Sequence, residues 1–469
     1  MSTGPTLSPR AIFRVPGPDD TAASLLSRWS DTYVSLPAAF AVPSTESDIG
    51  ALVSYAKANH LKVVASGGQH LPSVPVTSKT LYIDMKSFDS IQIDEEARTV
   101  SIGGGVTTGA LLSALTDAGY FTSLPNTNTV GVVGAFLGGG SSPLNGVTGF
   151  MVDQAVAARV ITAEGRALTL GPDSKGDEAA LWHALRGAGH GLAVVSGLTL
   201  RIHPIRDLGM DDDKLWSRTL VLPGLAIGVA AHTFEKLQPV QGPIALNLII
   251  TRNLPGTPGA GSPLILLTAS YFGPSADAEK ALAPLLDNSE INEAAVHAAT
   301  SFLPMSALND GTKMVESRGG LKRSDATLLR DPVDAAAIER SFERFVKLGD
   351  GCPDAMHSAV VYYAFDPSAL ANAPAAASER GFFEGRDTRC IVYHDIWFTE
   401  EASAGAVDAY LPQAIAIARV GESGPMRRFA NFLQYPADLE DCYSTGKAAE
   451  KRRVKQVWDP EGVFWTPGL

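Results

Sequence analysis

The side chains best able to move a proton sit late in the chain, where Tyr393, His394 and Asp395 follow one another and Tyr362, Tyr363 and Tyr435 lie in similar surroundings. A carboxylate, imidazole or phenolate within reach of a bound molecule can take a proton from it as other bonds rearrange. Side chains alternate along a strand, so Tyr393 and Asp395 share a face that His394 does not. A plainer reading stands beside this one. Tyrosines in a sheet pack and satisfy their hydroxyls, and His394 suits a buried, hydrogen-bonded place equally well. His183, beside Trp182, and His203, before Pro204, read as structural, while His190 lies close to the glycine-rich segments described next.

The stretch suited to seating a large ligand runs from Thr127 through Val130, Gly131, Gly134 and Gly138-Gly139-Gly140 to Asn145, Gly149 and Asp153. Glycines this dense among apolar residues let the backbone turn sharply and lie close to a ligand. A simple dinucleotide loop of the G-x-G-x-x-G kind does not fit, because the glycines at 138–140, 146 and 149 interrupt the helix it requires. After Asp153 the pattern gives a strand over 155–162, a turn at Ala163-Glu164-Gly165 and a strand over 166–170, a hairpin rather than a βαβ crossover. A mixed α+β fold follows.

Two further glycine turns accompany the first. Ser44-Thr45 with Asp48 is a capping pattern, and Ile49, Leu52, Val53 and Ala56 recur at helical spacing as far as Asn59. A strand over 62–65 then opens into Ser66-Gly67-Gly68-Gln69-His70, whose backbone amides suit a pyrophosphate. Strands over 80–84 and 99–102 lead through Gly103-Gly104-Gly105 into a helix with Leu111, Leu112 and Leu115 on one face. A short helix over 177–186 and a strand over 192–202 close this part of the chain. From about 206 the glycine loops end. Strand-like runs over 244–251, 264–272, 357–365 and 389–398 alternate with helices, the clearest over 333–347. This predicts an antiparallel sheet covered by helices on one face, its other face free for a ligand.

The order of these parts resembles the PCMH-type FAD-binding domain of the vanillyl-alcohol oxidase superfamily, and within it the berberine-bridge-enzyme-like oxidases. The family run V-G-x-G-G-x-x-x-G-G-G is matched at Val130-Gly131, Gly134 and Gly138 to Gly140. Its following segments are matched at Gly149-Phe150, Asp153-Gln154 and Ile161-Thr162-Ala163-Glu164-Gly165-Arg166. The segment around Arg186-Gly187-Ala188-Gly189 resembles W-A-L-R-G-G-G-x-N-F-G-I-V-T, and Phe432 to Pro436 with Trp458-Asp459-Pro460 to Phe464 resembles the family's tail. The resemblance implies an FAD-binding domain over 35–205, a substrate domain over 206–424 and a C-terminal segment, 425–469, packing back on the first. It implies FAD contacts at Ser66, Gly67, Gly68, Gln69, His70, Thr127, Val130, Gly131, Gly134, Gly138, Gly139, Gly140, Asn145, Gly191 and Val194. Tyr393, His394, Asp395 and Tyr435 become the candidates for accepting the substrate's proton.

Family members with doubly attached FAD use the histidine of G-G-H and a cysteine three residues before V-G; those slots hold Gln69 and Thr127. The resemblance therefore predicts a flavin held without a covalent bond, with His70, one residue from the histidine slot, as the competing possibility. Two functions follow as expectations. One is FAD-dependent oxidation of a small organic molecule of secondary metabolism, with molecular oxygen as a candidate acceptor. The other is a redox-neutral isomerisation or cyclisation on the same scaffold, the flavin structural or absent.

Composition sets the outer limits. The 469 residues suffice for two or three domains, and a net charge of −12 without a basic cluster argues against nucleic acid or an anionic membrane as partner. Cys352, Cys390 and Cys442 have no metal-ligand spacing and fit a reducing compartment. With no apolar leader over 1–20 and no run long enough to span a bilayer, a cytoplasmic location is expected. Metalloprotease, serine hydrolase and Walker-type motifs are absent from the sequence.

Overall fold

The computed structural model describes residues 4–371, 381–433 and 438–468. Three sheets carry the fold. In the first, Ile12–Arg14, Ala39–Val42, Thr80–Asp84 and Lys62–Ser66 lie side by side, the last three parallel. The second is antiparallel: Ile91–Asp94, Thr99–Gly103, Val194–Arg201, Ala155–Ile161 and Ala167–Leu170. The helix Glu46–Ala58 covers the first sheet. Thr45 and Asp48 form a reciprocal capping box at its start, and Ile49, Leu52, Val53 and Ala56 are fully buried. That is the geometry the Ser-Thr-x-x-Asp spacing and the helical apolar period require.

The third sheet is antiparallel and has seven strands, in the order His297–Pro304, Lys214–Pro223, Pro263–Tyr271, Ile244–Arg252, Ala359–Phe365, Cys390–Phe398 and Leu321–Leu329. Ile227–Lys236, Ala335–Gly351 and Ala404–Ala418 cover one face. The sheet alternates cleanly: Val360, Tyr362 and Val392 join Ile338 and Phe345 in the helix-side core, whereas Val361, Tyr363, Phe365 and Ile391 face the other way. That second face differs from the expectation. Much of it is in one continuous core with Val132, Phe136, Phe150 and Leu185, because both surfaces are apolar and burying them together removes them from water. Any ligand shares this interface rather than an open sheet.

Two segments tie the layers together. Near the C-terminus, Lys455 Nζ donates to Asp459 Oδ2 at 2.6 Å, Phe464 O at 2.8 Å and Gly191 O at 2.8 Å. Val463 and Phe464 enter the first sheet's core, and Phe464 bridges Val63. Near the N-terminus, residues 26–35 form a strap. Trp29 N donates to Gln69 O on the first glycine turn, while Ser30 and Thr32 hydroxyls donate to Lys322 O at 3.0 and 2.9 Å. The strap thus joins the first glycine turn to the edge strand of the large sheet. Among the described residues, no helix is long and apolar enough to cross a membrane.

Candidate functional site

The glycine turns meet backbone to backbone. A Cβ on Gly68 would land on the Gly131 amide nitrogen and lie 2.7 Å from Thr129 O; one on Gly67 would lie 2.8 Å from Gly104 O. Gly104 and Gly105 are pressed in the same way against Val195 O and Met85 O. Glycine is needed there because main chain occupies the space a side chain would fill. The other glycines of the central run differ. Gly134 has open space around its Cβ position; Gly139, at φ +119°, would meet Phe383 and Phe429 at 3.0 and 3.1 Å; and Gly140 would meet Met151. A Cβ on Gly138 would strike the Asn431 amide, and one on Gly191 would strike Trp465 O. Asn145 is buried and hydrogen-bonds Ser142 N and Ser141 Oγ at 3.0 and 3.1 Å. Val130 O accepts from Thr108 N and Oγ1, and Val194 packs in the first sheet's core.

Around the meeting point of the first turn and the central run, polar contacts close into a ring. His70 Nε2 shares a 2.7 Å hydrogen bond with Thr129 Oγ1, and its ring stacks on Trp29 at 5.5 Å. Lys322 Nζ donates to Trp29 O at 2.5 Å and Ser317 O at 2.7 Å, and lies 3.9 Å from the Trp397 ring centroid. Asp395 shares the sheet face of Lys322, Trp397 and Tyr393, since Ser324 pairs with Asp395, Lys322 with Trp397 and Ala326 with Tyr393. The Tyr393 hydroxyl lies near the Asn126 side chain, and its ring stacks on Phe432 at 4.9 Å. Thr127 and Thr129, directly after Asn126, lead back to His70. Arg318 Nη2 donates to Gly68 O at 3.1 Å from the same side.

Burial sets the ionisation here. It pushes Asp395 up to about 7, against the opposing pull of Lys322, and brings Lys322 down to about 8. His70 falls to about 3 through burial, helped by the positive charges of Arg318, Lys322 and Arg28, so its imidazole is neutral. Tyr393 is raised by burial and by Asp395, which keeps its proton in place.

The structure brings Gln69, His70, Thr127, Tyr393 and Asp395 to this ring and places His394 elsewhere. His394 lies on the helix side, fully buried, with Nδ1 3.1 Å from Tyr410 Oη of Ala404–Ala418, and burial lowers it to about 3. Tyr362 likewise points to the helices, donating to Ser341 Oγ at 2.6 Å, while Tyr363 donates to Ser142 O at 2.7 Å. Tyr435 lies outside the described residues. His183 meets Lys447 Nζ at 2.8 Å, His203 meets Gln154 Oε1 at 2.9 Å, and His190 bonds Gly134 O at 2.9 Å. Sequence reasoning missed Lys322, Trp29 and Arg318. The strand Leu321–Leu329 begins Leu-Lys-Arg-Ser-Asp, whose polar residues on both faces hide the alternation that marks a strand.

Two buried acceptors of the ring, Gln69 Oε1 and Asp395 Oδ1, have no hydrogen-bond partner among the described residues. Buried polar atoms are nearly always paired, so a ligand N–H or O–H is the kind of partner each of them lacks. The glycine turns beside them fit the backbone approach a dinucleotide needs.

Comparison with known proteins agrees. The family described as FAD binding domain matches residues 37–171. The FAD-linked oxidoreductase OXR1 of Pyricularia oryzae is 26% identical over 97% of this chain and 88% of its own. The FAD-linked oxidoreductase hasG of Aspergillus fumigatus is 27% identical over 95% and 94%. Among solved structures, Physcomitrella patens BBE-like 1 superposes with a TM-score of 0.79 at 17% identity, covering 98% of this chain and 96% of that one. The 6-hydroxy-D-nicotine oxidase of Arthrobacter nicotinovorans gives 0.78 at 19%, covering 99% and 98%. The family match shows an FAD binding domain over residues 37–171, the relatives similar over nearly the whole chain are FAD-linked oxidoreductases, and the solved structures show that the chain has the fold of the berberine-bridge-enzyme-like proteins.

Proposed function

We propose that this protein oxidises a small organic molecule of secondary metabolism, with Asp395 accepting the substrate's proton and FAD held without a covalent bond. FAD, when bound, supplies the hydride acceptor, and the protein has to orient the substrate and move one proton. The observation that carries this reading is Asp395 itself. It is half-buried on the sheet face turned toward the first glycine turn, one enclosed carboxylate oxygen is unpartnered, and desolvation brings its ionisation to about 7. A base is most effective with a pKa near the working pH, and a free carboxylate oxygen is where a substrate hydroxyl or amine proton would go. Tyr393, stacked on Phe432 beside it, orients rather than accepts, because burial keeps its hydroxyl protonated.

The non-covalent reading rests on Gln69, Thr127 and His70. An amide and a secondary hydroxyl are poor nucleophiles for a flavin ring. His70 is the remaining nucleophile, and its Nε2 is engaged by Thr129 while its ring stacks on Trp29. Gln69, Gly67, Gly68, Gly131 and Gly134 would line the cofactor's path, Gly134 having free space and Gln69 a free acceptor.

Turnover of purified holoprotein, with and without oxygen, tests the oxidation. Substrate consumption matched by flavin bleaching in the absence of oxygen supports it. Product formation at full rate without oxygen or any other acceptor refutes it and favours the redox-neutral chemistry.

A further inference from the structure

Lys322 is a deeply buried lysine beside the ring. Its side chain is 1% exposed, yet it forms no ion pair within 4 Å among the described residues. Two of its three N–H groups go to the Trp29 and Ser317 carbonyls, and the rings of Trp29 and Trp397 flank it at 4.6 and 3.9 Å. Two aromatic faces and two carbonyls hold a cation well, but neither neutralises it. The carboxyl that shares its face of the sheet is Asp395, one diagonal step away across the pairing of Lys322 with Trp397 and Ser324 with Asp395. Diagonal neighbours on one face lie within electrostatic reach of each other, and a buried pair is poorly screened.

We propose that Lys322 is a positioning residue for Asp395: its clamped ammonium holds the Asp395 carboxyl in the ionised, proton-accepting form, and so sets the lowest pH at which the site works. This rests on the assignment of Asp395 as the base. The other charged and titratable groups facing the pair are Asp31 and Arg28 on the N-terminal strap, Arg318 before the edge strand, His70 on the first glycine turn, and Tyr393. Asp31 and Arg318 act on Lys322 in opposite senses, and His70 is neutral, so the clamped ammonium is the cation that acts on Asp395. Strap and strand jointly fix it, because Ser30 and Thr32 grip the Lys322 backbone while Trp29 grips its ammonium.

The test uses Lys322→Gln, whose amide can still donate to both carbonyls, and Lys322→Arg, which keeps the charge. The first readout is infrared titration of purified holoprotein, following the protonated-carboxyl band that Asp395→Asn removes. Loss of a nearby positive charge raises a carboxyl's pKa by about 1 or more. The band should therefore persist to a pH about 1 higher in Lys322→Gln and return toward the parent's midpoint in Lys322→Arg. The second readout is the acid limb of kcat/KM against pH, which should move upward by the same amount in Lys322→Gln while the plateau above it changes little. An infrared midpoint unchanged in Lys322→Gln overturns the inference, whatever Asp395 does in turnover. If the infrared midpoint shifts but Asp395→Asn turns over at the parent rate, the electrostatic pairing stands and the assignment of the base fails.

Discussion

Replacing Asp395 by asparagine should slow turnover and stabilise the fold at the same time, and the second effect depends on pH in a calculable way. An unfolded aspartate titrates at about 3.9, and burial lifts Asp395 to about 7 in the native protein. The folded state then binds the proton more tightly than the unfolded state. The stability contributed by the protonated form is fully present below about pH 4 and is lost as pH rises through about 7. A tenfold change in proton affinity is worth about 1.4 kcal/mol, so the ceiling on that loss is roughly 4 kcal/mol. Asparagine has no charge to desolvate and escapes the loss. Leaving Lys322 without its carboxylate takes back part of the gain, so between about pH 5 and pH 8 the variant should gain on the parent by roughly 2 kcal/mol. Urea unfolding of both proteins at the two pH values measures this difference. Turnover should fall about 100-fold or more with flavin content unchanged, as loss of a general base usually requires. A stability difference that stays constant across that pH range would refute the burial argument, and parent-like turnover would refute the role of base.

Three further outcomes are expected. Acid precipitation of the purified protein should leave its yellow colour in the supernatant; a yellow pellet would mean that His70 had formed the bond its contact with Thr129 is argued to prevent. Gly68→Ala should yield little folded protein, because its Cβ would land on the Gly131 backbone, whereas Gly134→Ala, with open space and a helical setting, should fold in normal yield and, as apoprotein, gain up to about 1 kcal/mol. Equal yields of the two would show that the turns are not packed as described. His394→Ala should destabilise the fold through the cavity it leaves, by roughly 2–4 kcal/mol, while kcat of the folded fraction stays near the parent's; a collapse of kcat at normal stability would return His394 to the candidates for catalysis.

The elements that local chemistry governs were legible from sequence. The capping box at Thr45, the hairpin over 155–170 and the alternation that separates Tyr393 and Asp395 from His394 each depend on residues within a few positions of one another. The glycine turns were legible as places of close approach, but sequence could not show what approaches them. For Gly68 and Gly104 it is another stretch of backbone, for Gly139 a pair of phenylalanines more than 240 positions later. The ring around Asp395 was only half visible for the same reason. Trp29 and Lys322 come together across nearly 300 residues, and neither carries a local sign of it. The strand bearing Lys322 was hidden because its polar side chains are satisfied by tertiary partners on both faces: Arg323 by Asp408 and Asp325 by Arg428 on one, Lys322 by the Trp29 carbonyl on the other.

The N-terminal strap has a consequence for the life of the chain before it is finished. Residues 26–35 leave the ribosome well before their partners, those of Ser30 lying 292 positions later. At about 5–20 residues per second, the strap waits roughly 15–60 s for Lys322 to be made, and Trp397 comes later still. During that interval the glycine turns can already fold against one another while the wall containing Trp29, Lys322 and Asp395 does not yet exist. A nascent chain can therefore pack its glycine turns before the strands that carry Lys322 and Asp395 have been made.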